Sequence, residues 1–135
     1  MTIQELKIGD SASVTKTISE SDVYLFAGIT GDFNPAHVDE AGAKESFFHG
    51  RIAHGMLVAS FFSTILGMKL PGPGTIYMGQ EVRFMKPVHL GDTITAVGTV
   101  AEINSEKKIV WLDTVCRNQN GDIVVQGRAT VRPPQ

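Results

Sequence analysis

One cysteine, Cys116, is all this sequence carries, so no disulfide can close within the chain, and such sparse cysteine use fits a reducing compartment. Charge of one sign is equally scarce. Net charge is −2 with Lys and Arg scattered, and without a basic stripe the composition offers no footprint for nucleic acid. The longest apolar run, Met56 to Leu70, is broken by Ser60, Ser63, Thr64 and Lys69 and is short for a bilayer. The opening MTIQELKIGD has no charged segment followed by an apolar one, which reads as no secretory signal. Internal repeats and low-complexity linkers are missing. So are G-x-S-x-G, P-loop and G-x-G-x-x-G sequences, which removes the simplest cases for a serine hydrolase, an NTPase and a dinucleotide enzyme. The expectation is a soluble cytoplasmic protein with no membrane and no nucleic-acid partner.

What is present suits one domain over residues 1–135, long enough to bury roughly two-thirds of the surface its unfolded form exposes. The 42% hydrophobic and 19% charged fractions are ordinary for a globular chain. Ser11 to Ile18 alternates as a short strand does. SESD (Ser19 to Asp22) reads as a capping box opening an amphipathic helix that ends near Gly28 or Gly31. Asp39 is placed to cap a further short helix over Glu40 to Lys44. Met56 to Leu70 reads as a helix buried on all faces and stopped by PGPG, with its Ser and Thr groups bonded back to the preceding turn. Ile76 to Met85, Asp92 to Asn104, Lys108 to Arg117 and Asp122 to Arg132 read as strands, and Asn120-Gly121 as a hairpin turn with positive φ. One apolar helix and several long antiparallel strands make the class α+β, a curved sheet wrapped around a central helix.

The stretch GDFNPAHVD, residues 31 to 39, concentrates polar chemistry. Asp32, Asn34 and His37 lie close together, Pro35 fixes its own φ, and Asn34 is biased toward an extended conformation. A carboxylate, an amide and an imidazole aimed at one point could bind a water molecule and move its protons. The same residues also make an ordinary turn, since Asp and Asn bond their own backbone and Asn-Pro starts turns. Further on, in AHGMLVAS, Gly55 stands where the apolar helix begins. Its N–H is either the free donor of a plain glycine cap or a group able to stabilise negative charge on a substrate oxygen. These residues alone leave both choices open.

Phe26-Ala27-Gly28-Ile29-Thr30-Gly31-Asp32-Phe33-Asn34-Pro35-Ala36-His37, closed by Ala43, resembles the hydratase motif of the MaoC-like dehydratase family, and within it the (R)-specific enoyl-CoA hydratases. Ala36 departs from the usual Leu, Ile or Val, which bears on packing rather than chemistry. The likeness continues through RIAHGMLVASFFSTILGMKLPGPGTIYMGQEVRFMKPVHLGD and so spans most of the chain. It implies a hotdog fold, a homodimer, and reversible hydration of trans-2-enoyl-CoA to (R)-3-hydroxyacyl-CoA in fatty-acid metabolism or polyhydroxyalkanoate precursor supply. By the same resemblance Asp32 and His37 are the catalytic pair, Asn34 orients the water, and the Gly55 N–H forms the oxyanion hole. Ser63 and Leu66 are acyl-pocket candidates by family position. No cofactor is implied, coenzyme A being part of the substrate. Two alternatives stay beside this reading: a hydratase or dehydratase of carrier-bound, branched or dicarboxylic acyl thioesters, and an acyl-thioester binder without chemistry.

Other residues attract simpler readings. His49 and His54 could join Asp32 and His37 around a metal, but their spacing matches no zinc pattern, and no metal is expected. Cys116 lies in a strand pattern and reads as a small buried hydrophobe. Trp111 reads as a core or dimer-interface residue. Arg51, Lys69, Arg83 and Lys86 are the cations available to coenzyme phosphates, and each is equally an ordinary surface charge.

Overall fold

The computed structural model describes all residues, Met1–Gln135. The first strand, β1 (Ser11–Thr17), runs into α1 (Glu20–Thr30), and the join is the capping box read from SESD: Ser19 Oγ accepts from the Asp22 N–H, and Asp22 accepts from the Ser19 N–H. Gly31 ends α1 in the left-handed region at φ 80°, where a residue without Cβ is unstrained, and its N–H bonds the Ala27 carbonyl. Two short helices follow, α2 (Pro35–Val38) and α3 (Glu40–Lys44). Asp39 caps α3 as expected, through the Gly42 N–H at 3.1 Å. The turn α2 lacks any periodic signal because it is too short to show one.

The apolar segment is helical as far as Lys69, as α4 (Gly55–Ala59), α5 (Phe61–Thr64) and a π-helical turn, Ile65–Lys69, while Leu70 is already extended (φ −149°, ψ 104°). Ser60, between α4 and α5, keeps αR dihedrals and returns its hydroxyl to the Leu57 carbonyl. β2 (Ile76–Phe84), β3 (Thr93–Asn104), β4 (Ile109–Arg117) and β5 (Ile123–Arg132) match the four strand expectations to within about a residue at each end. They join β1 in one antiparallel sheet of order β1-β3-β4-β5-β2. In the turn before β5 only Gly121 takes positive φ, at 81°; Asn120 does not, and the Asn118 side chain organises the turn by accepting from the Asn120 and Asp122 N–H groups.

This is the hotdog arrangement, with the sheet curled over the helix. Buried positions alternate along β3 and β4, so one sheet face supplies Ile94, Ala96, Val110 and Leu112 to the helix. Val58, Phe62 and Ile65 meet a first cluster with Ile18, Val23 and Val124, and Leu66 and Leu70 a second with Val100, Val110 and Val131. Cys116 is fully buried in the first cluster, where burial pushes its thiol up to about 12, as suits an inert small hydrophobe. Trp111 is half-buried on β4. The helix is not buried all round: Met56, Ser60, Ser63, Thr64 and Met68 are exposed, because the sheet closes over one side only. No helix is long and apolar enough to cross a membrane.

Arg51 pins the segment between α3 and α4. Its Nε bonds Glu40 at 2.8 Å, and its two terminal nitrogens bond Tyr24 and Glu20, each at 3.0 Å. The Tyr24 hydroxyl, with Arg51 beside it, holds the Glu20 carboxyl below the usual carboxylate range. A carboxyl depressed in the folded state stabilises above its unfolded value, and that contribution is lost as pH falls through the folded value. Arg51→Met is therefore expected to lower the Tm at neutral pH by about 5 °C. The gap from wild type should shrink on acidification below the ordinary range. Thermal melts followed by circular dichroism at neutral and acid pH check this, and a constant gap would mean the ion pairs contribute nothing.

Candidate active site

The turn after α1 is built by its own polar groups. The Asp32 N–H donates to Thr30 Oγ1 at 3.2 Å, and Asp32 Oδ1 accepts from the Asn34 N–H at 3.2 Å. Asn34 Oδ1 accepts from the Ala36 N–H at 3.0 Å, which caps α2, and Pro35 takes the first helical position, where a missing N–H costs nothing. That single turn carries His37 inward to 8% exposure while Asp32 stays exposed.

Two histidines meet there, and their tautomers follow from their partners. His37 Nδ1 lies 2.7 Å from the Ile52 carbonyl, which can only accept. Nδ1 therefore carries the proton, and Nε2 of the neutral ring is a lone pair. His54 Nε2 lies 2.9 Å from the Asp32 backbone carbonyl and donates by the same logic, leaving Nδ1 as a lone pair. That Nδ1 is buried with no hydrogen-bond partner, and His54 as a whole is 3% exposed. The two rings stack with centroids 3.8 Å apart and planes 27° from parallel, and Phe26 tilts against His54 at 4.9 Å.

Asp32, His37, His54 and Gly55 line one cavity of about 610 Å³, walled on its apolar side by Phe84, Met85, Val88 and Val125. That volume suits a small-molecule site. Gly55 opens α4, and no side chain caps that end: His54 occupies the N-cap but sends its ring to Asp32 instead. The Gly55 N–H thus has no acceptor within the helix. A Cβ at this position would come within 2.7 Å of the Phe84 ring, so glycine lets that ring close against the helix start.

A metal is poorly served here, although Asp32, His37 and His54 bring one ligand atom each within 4.8 Å of one another. An imidazole binds a metal in its ring plane. With the two rings stacked, an ion in the plane of one sits well out of the plane of the other, so the donors do not close around a common point. His49 is not part of this group and stands exposed at φ 57°.

The structure thus gathers Asp32, His37 and Gly55 on one cavity and leaves Asn34, Ser63 and Leu66 outside it. Asn34 does not line the cavity, and its Oδ1 caps α2. Ser63 is exposed, and Leu66 packs in the second core cluster; neither borders this cavity. Of the cations, Arg51 is fully engaged, Lys69 donates to the Ser13 carbonyl at 2.6 Å, and Arg83 borders a different groove with Glu81. Lys86 alone of these lines the cavity, paired loosely with Asp122 at 3.4 Å. The sequence offered His54 only as a metal candidate, and neither its bond to the Asp32 carbonyl nor the Ile52 carbonyl's hold on His37 was read from it. The available signal was a histidine at a helix N-cap, where Ser, Thr, Asp or Asn is favoured.

Residues 5–118 match the MaoC-like domain family. The chain is 53% identical to the (R)-specific enoyl-CoA hydratase of Rhodospirillum rubrum, covering 97% of this chain and 90% of that protein. It is 42% identical to the enzyme of the same name from Aeromonas caviae, covering 99% of this chain and 100% of that one. A solved (R)-hydratase from A. caviae involved in PHA biosynthesis superposes with a TM-score of 0.95 at 42% identity, covering 97% of this chain and 99% of the other. An R-hydratase from Pseudomonas aeruginosa gives 0.95 at 43% identity, covering 99% and 86%.

Proposed function

This chain belongs to the MaoC-like family, and from that premise we propose that it is a hydro-lyase adding water reversibly across trans-2-enoyl-CoA to give (R)-3-hydroxyacyl-CoA. One observation carries the chemistry: an exposed carboxylate, Asp32, and an imidazole whose tautomer leaves Nε2 as a lone pair, His37, face the same cavity. Water held by the two gives one proton to the pair as its oxygen bonds C3. The electron pair of the alkene moves onto C2 and the thioester oxygen, which accepts a hydrogen bond from the Gly55 N–H. The pair then returns the same proton to C2. No outside proton is needed, so the sum is water plus alkene, and both new bonds form on the face that Asp32 and His37 share. That is syn addition, and it uses protein groups and water with no cofactor. Asn34 contributes by capping the turn that presents His37.

The apolar wall of Phe84, Met85, Val88 and Val125 suits an acyl chain, and Lys86 at the same cavity suits an anionic carrier arm. Loss of the conjugated-thioester absorbance of crotonyl-CoA, followed by chiral resolution of the product, tests the reading. The (R) product is expected. Untouched crotonyl-CoA alongside turnover of a carrier-linked enoyl chain would move the activity to the carrier substrate, as in the name of the 35% identical mitochondrial 3-hydroxyacyl-[acyl-carrier-protein] dehydratase of Arabidopsis thaliana.

A homodimer completes the proposal. The edge strand β2 leaves Ile76, Tyr77, Met78 and Phe84 exposed, and Met56 and Met68 are exposed on the helix. Exposed apolar surface of that extent is covered in most soluble proteins. Sedimentation equilibrium should return twice the chain mass of 14.6 kDa, and a monomer at micromolar concentration would overturn the dimer.

A further inference from the structure

We infer that His54 is a positioning residue for the proposed reaction, one ring that sets Asp32 against His37. The inference rests on the hydration reading for its activity readout but on geometry for its substance. Asp32 sits on a turn stabilised by contacts two residues apart, and its side chain is exposed. Local bonds of that kind leave the turn free to shift as a unit relative to α2. His54 removes that freedom from a segment distant in sequence. Its Nε2–H holds the Asp32 carbonyl at 2.9 Å across 22 residues of sequence, and its face lies 3.8 Å from the His37 ring. Phe26 closes the other flank of the His54 ring.

The residue makes these two contacts at a visible cost. Its Nδ1 is buried without a partner, an arrangement few native side chains keep without reason. Its place at the α4 N-cap is also left without the side-chain bond that a Ser or Asp would make there. Packing alone explains neither, since an apolar ring would fill the space with no orphan nitrogen. What an apolar ring cannot supply is the donor to Asp32. Angstrom-scale misplacement of a reacting group can cost about 10²-fold in rate, so a donor that fixes the Asp32 backbone acts on kcat rather than on substrate binding.

Two variants separate donor from face. His54→Phe keeps a ring against His37 and removes both the donor and the orphan nitrogen. His54→Gln keeps an N–H able to reach the Asp32 carbonyl. Expected for His54→Phe are a wild-type or higher Tm, a kcat for crotonyl-CoA hydration reduced about 10- to 100-fold, and a KM within about twofold of wild type. His54→Gln should recover most of the lost kcat. A His54→Phe enzyme with wild-type kcat, or Phe and Gln variants equally impaired, would overturn the positioning role. Wild type inactive on crotonyl-CoA would instead count against the substrate reading. In that case the ring ¹⁵N shifts of His37 and the backbone amide shifts of Asp32 decide: they should move together in His54→Phe and return in His54→Gln. Unmoved shifts in His54→Phe would overturn the positioning role whatever the substrate.

Discussion

Asp32→Asn is expected to leave a folded protein that hydrates crotonyl-CoA roughly 10²- to 10⁴-fold more slowly than wild type, the range of general acid–base contributions. The fold should survive because asparagine keeps what the turn uses. Its Oδ1 can still accept from the Asn34 N–H, and the backbone carbonyl that His54 holds is untouched. Only the ionisable oxygen is lost. A companion, His37→Asn, keeps a side-chain donor near the Ile52 carbonyl while removing Nε2, the ring nitrogen not bonded to Ile52. If the two residues act as one unit on a shared water, the double variant should be little slower than the slower single variant, because removing either member already removes the unit. Strictly additive losses would mean separate roles. Wild-type turnover by a folded Asp32→Asn protein, with circular dichroism and Tm unchanged, would take Asp32 out of the reaction altogether.

The second large effect concerns a donor that no ordinary substitution reaches, the Gly55 N–H. Proline removes it, and this position tolerates proline. Residue 55 is the first of α4, where proline is favoured, and His54 already has the extended dihedrals (φ −59°, ψ 134°) that suit the residue before a proline. The obstacle is Phe84, whose ring any Cβ here would meet at 2.7 Å. The comparison is therefore made in a Phe84→Ala background, with Gly55→Ala as the reference that keeps the N–H and Gly55→Pro as the variant that lacks it. Loss of one preorganised donor to a developing oxyanion costs roughly 10²–10³ in kcat, about 3 kcal/mol. That difference is expected between the two, with KM nearly shared, since the charge on the thioester oxygen grows only as C3 is attacked. Equal kcat values would show that the helix start does not contact the reacting carbonyl.

Both experiments depend on a distinction between what local sequence specifies and what folding adds. The box at Ser19 and Asp22, the Gly31 stop and the Asp39 cap were legible because each is a contact between neighbours, and their partners lie in the same few residues. Strand limits were legible because alternation repeats along one segment, and the Asp32-to-His37 motif because its spacing is itself local. The sequence by itself thereby determined the α+β class, the rigid polar turn and two of the groups placed in the reaction. Other things depended on which distant segments meet. Asn34 reads as a free amide until the α2 backbone claims its Oδ1, and Arg51 reads as a spare cation until α1 and α3 bring Glu20 and Glu40 to it. The helix reads as buried all round because hydropathy counts residues and cannot tell how far a sheet will wrap. His37 acquires a defined tautomer only from Ile52, and His54 a purpose only from Asp32. A hydrogen bond between groups distant in sequence leaves no periodic trace in either segment, so tertiary structure alone decided which nitrogen of His37 meets the Ile52 carbonyl and which ring stacks on it.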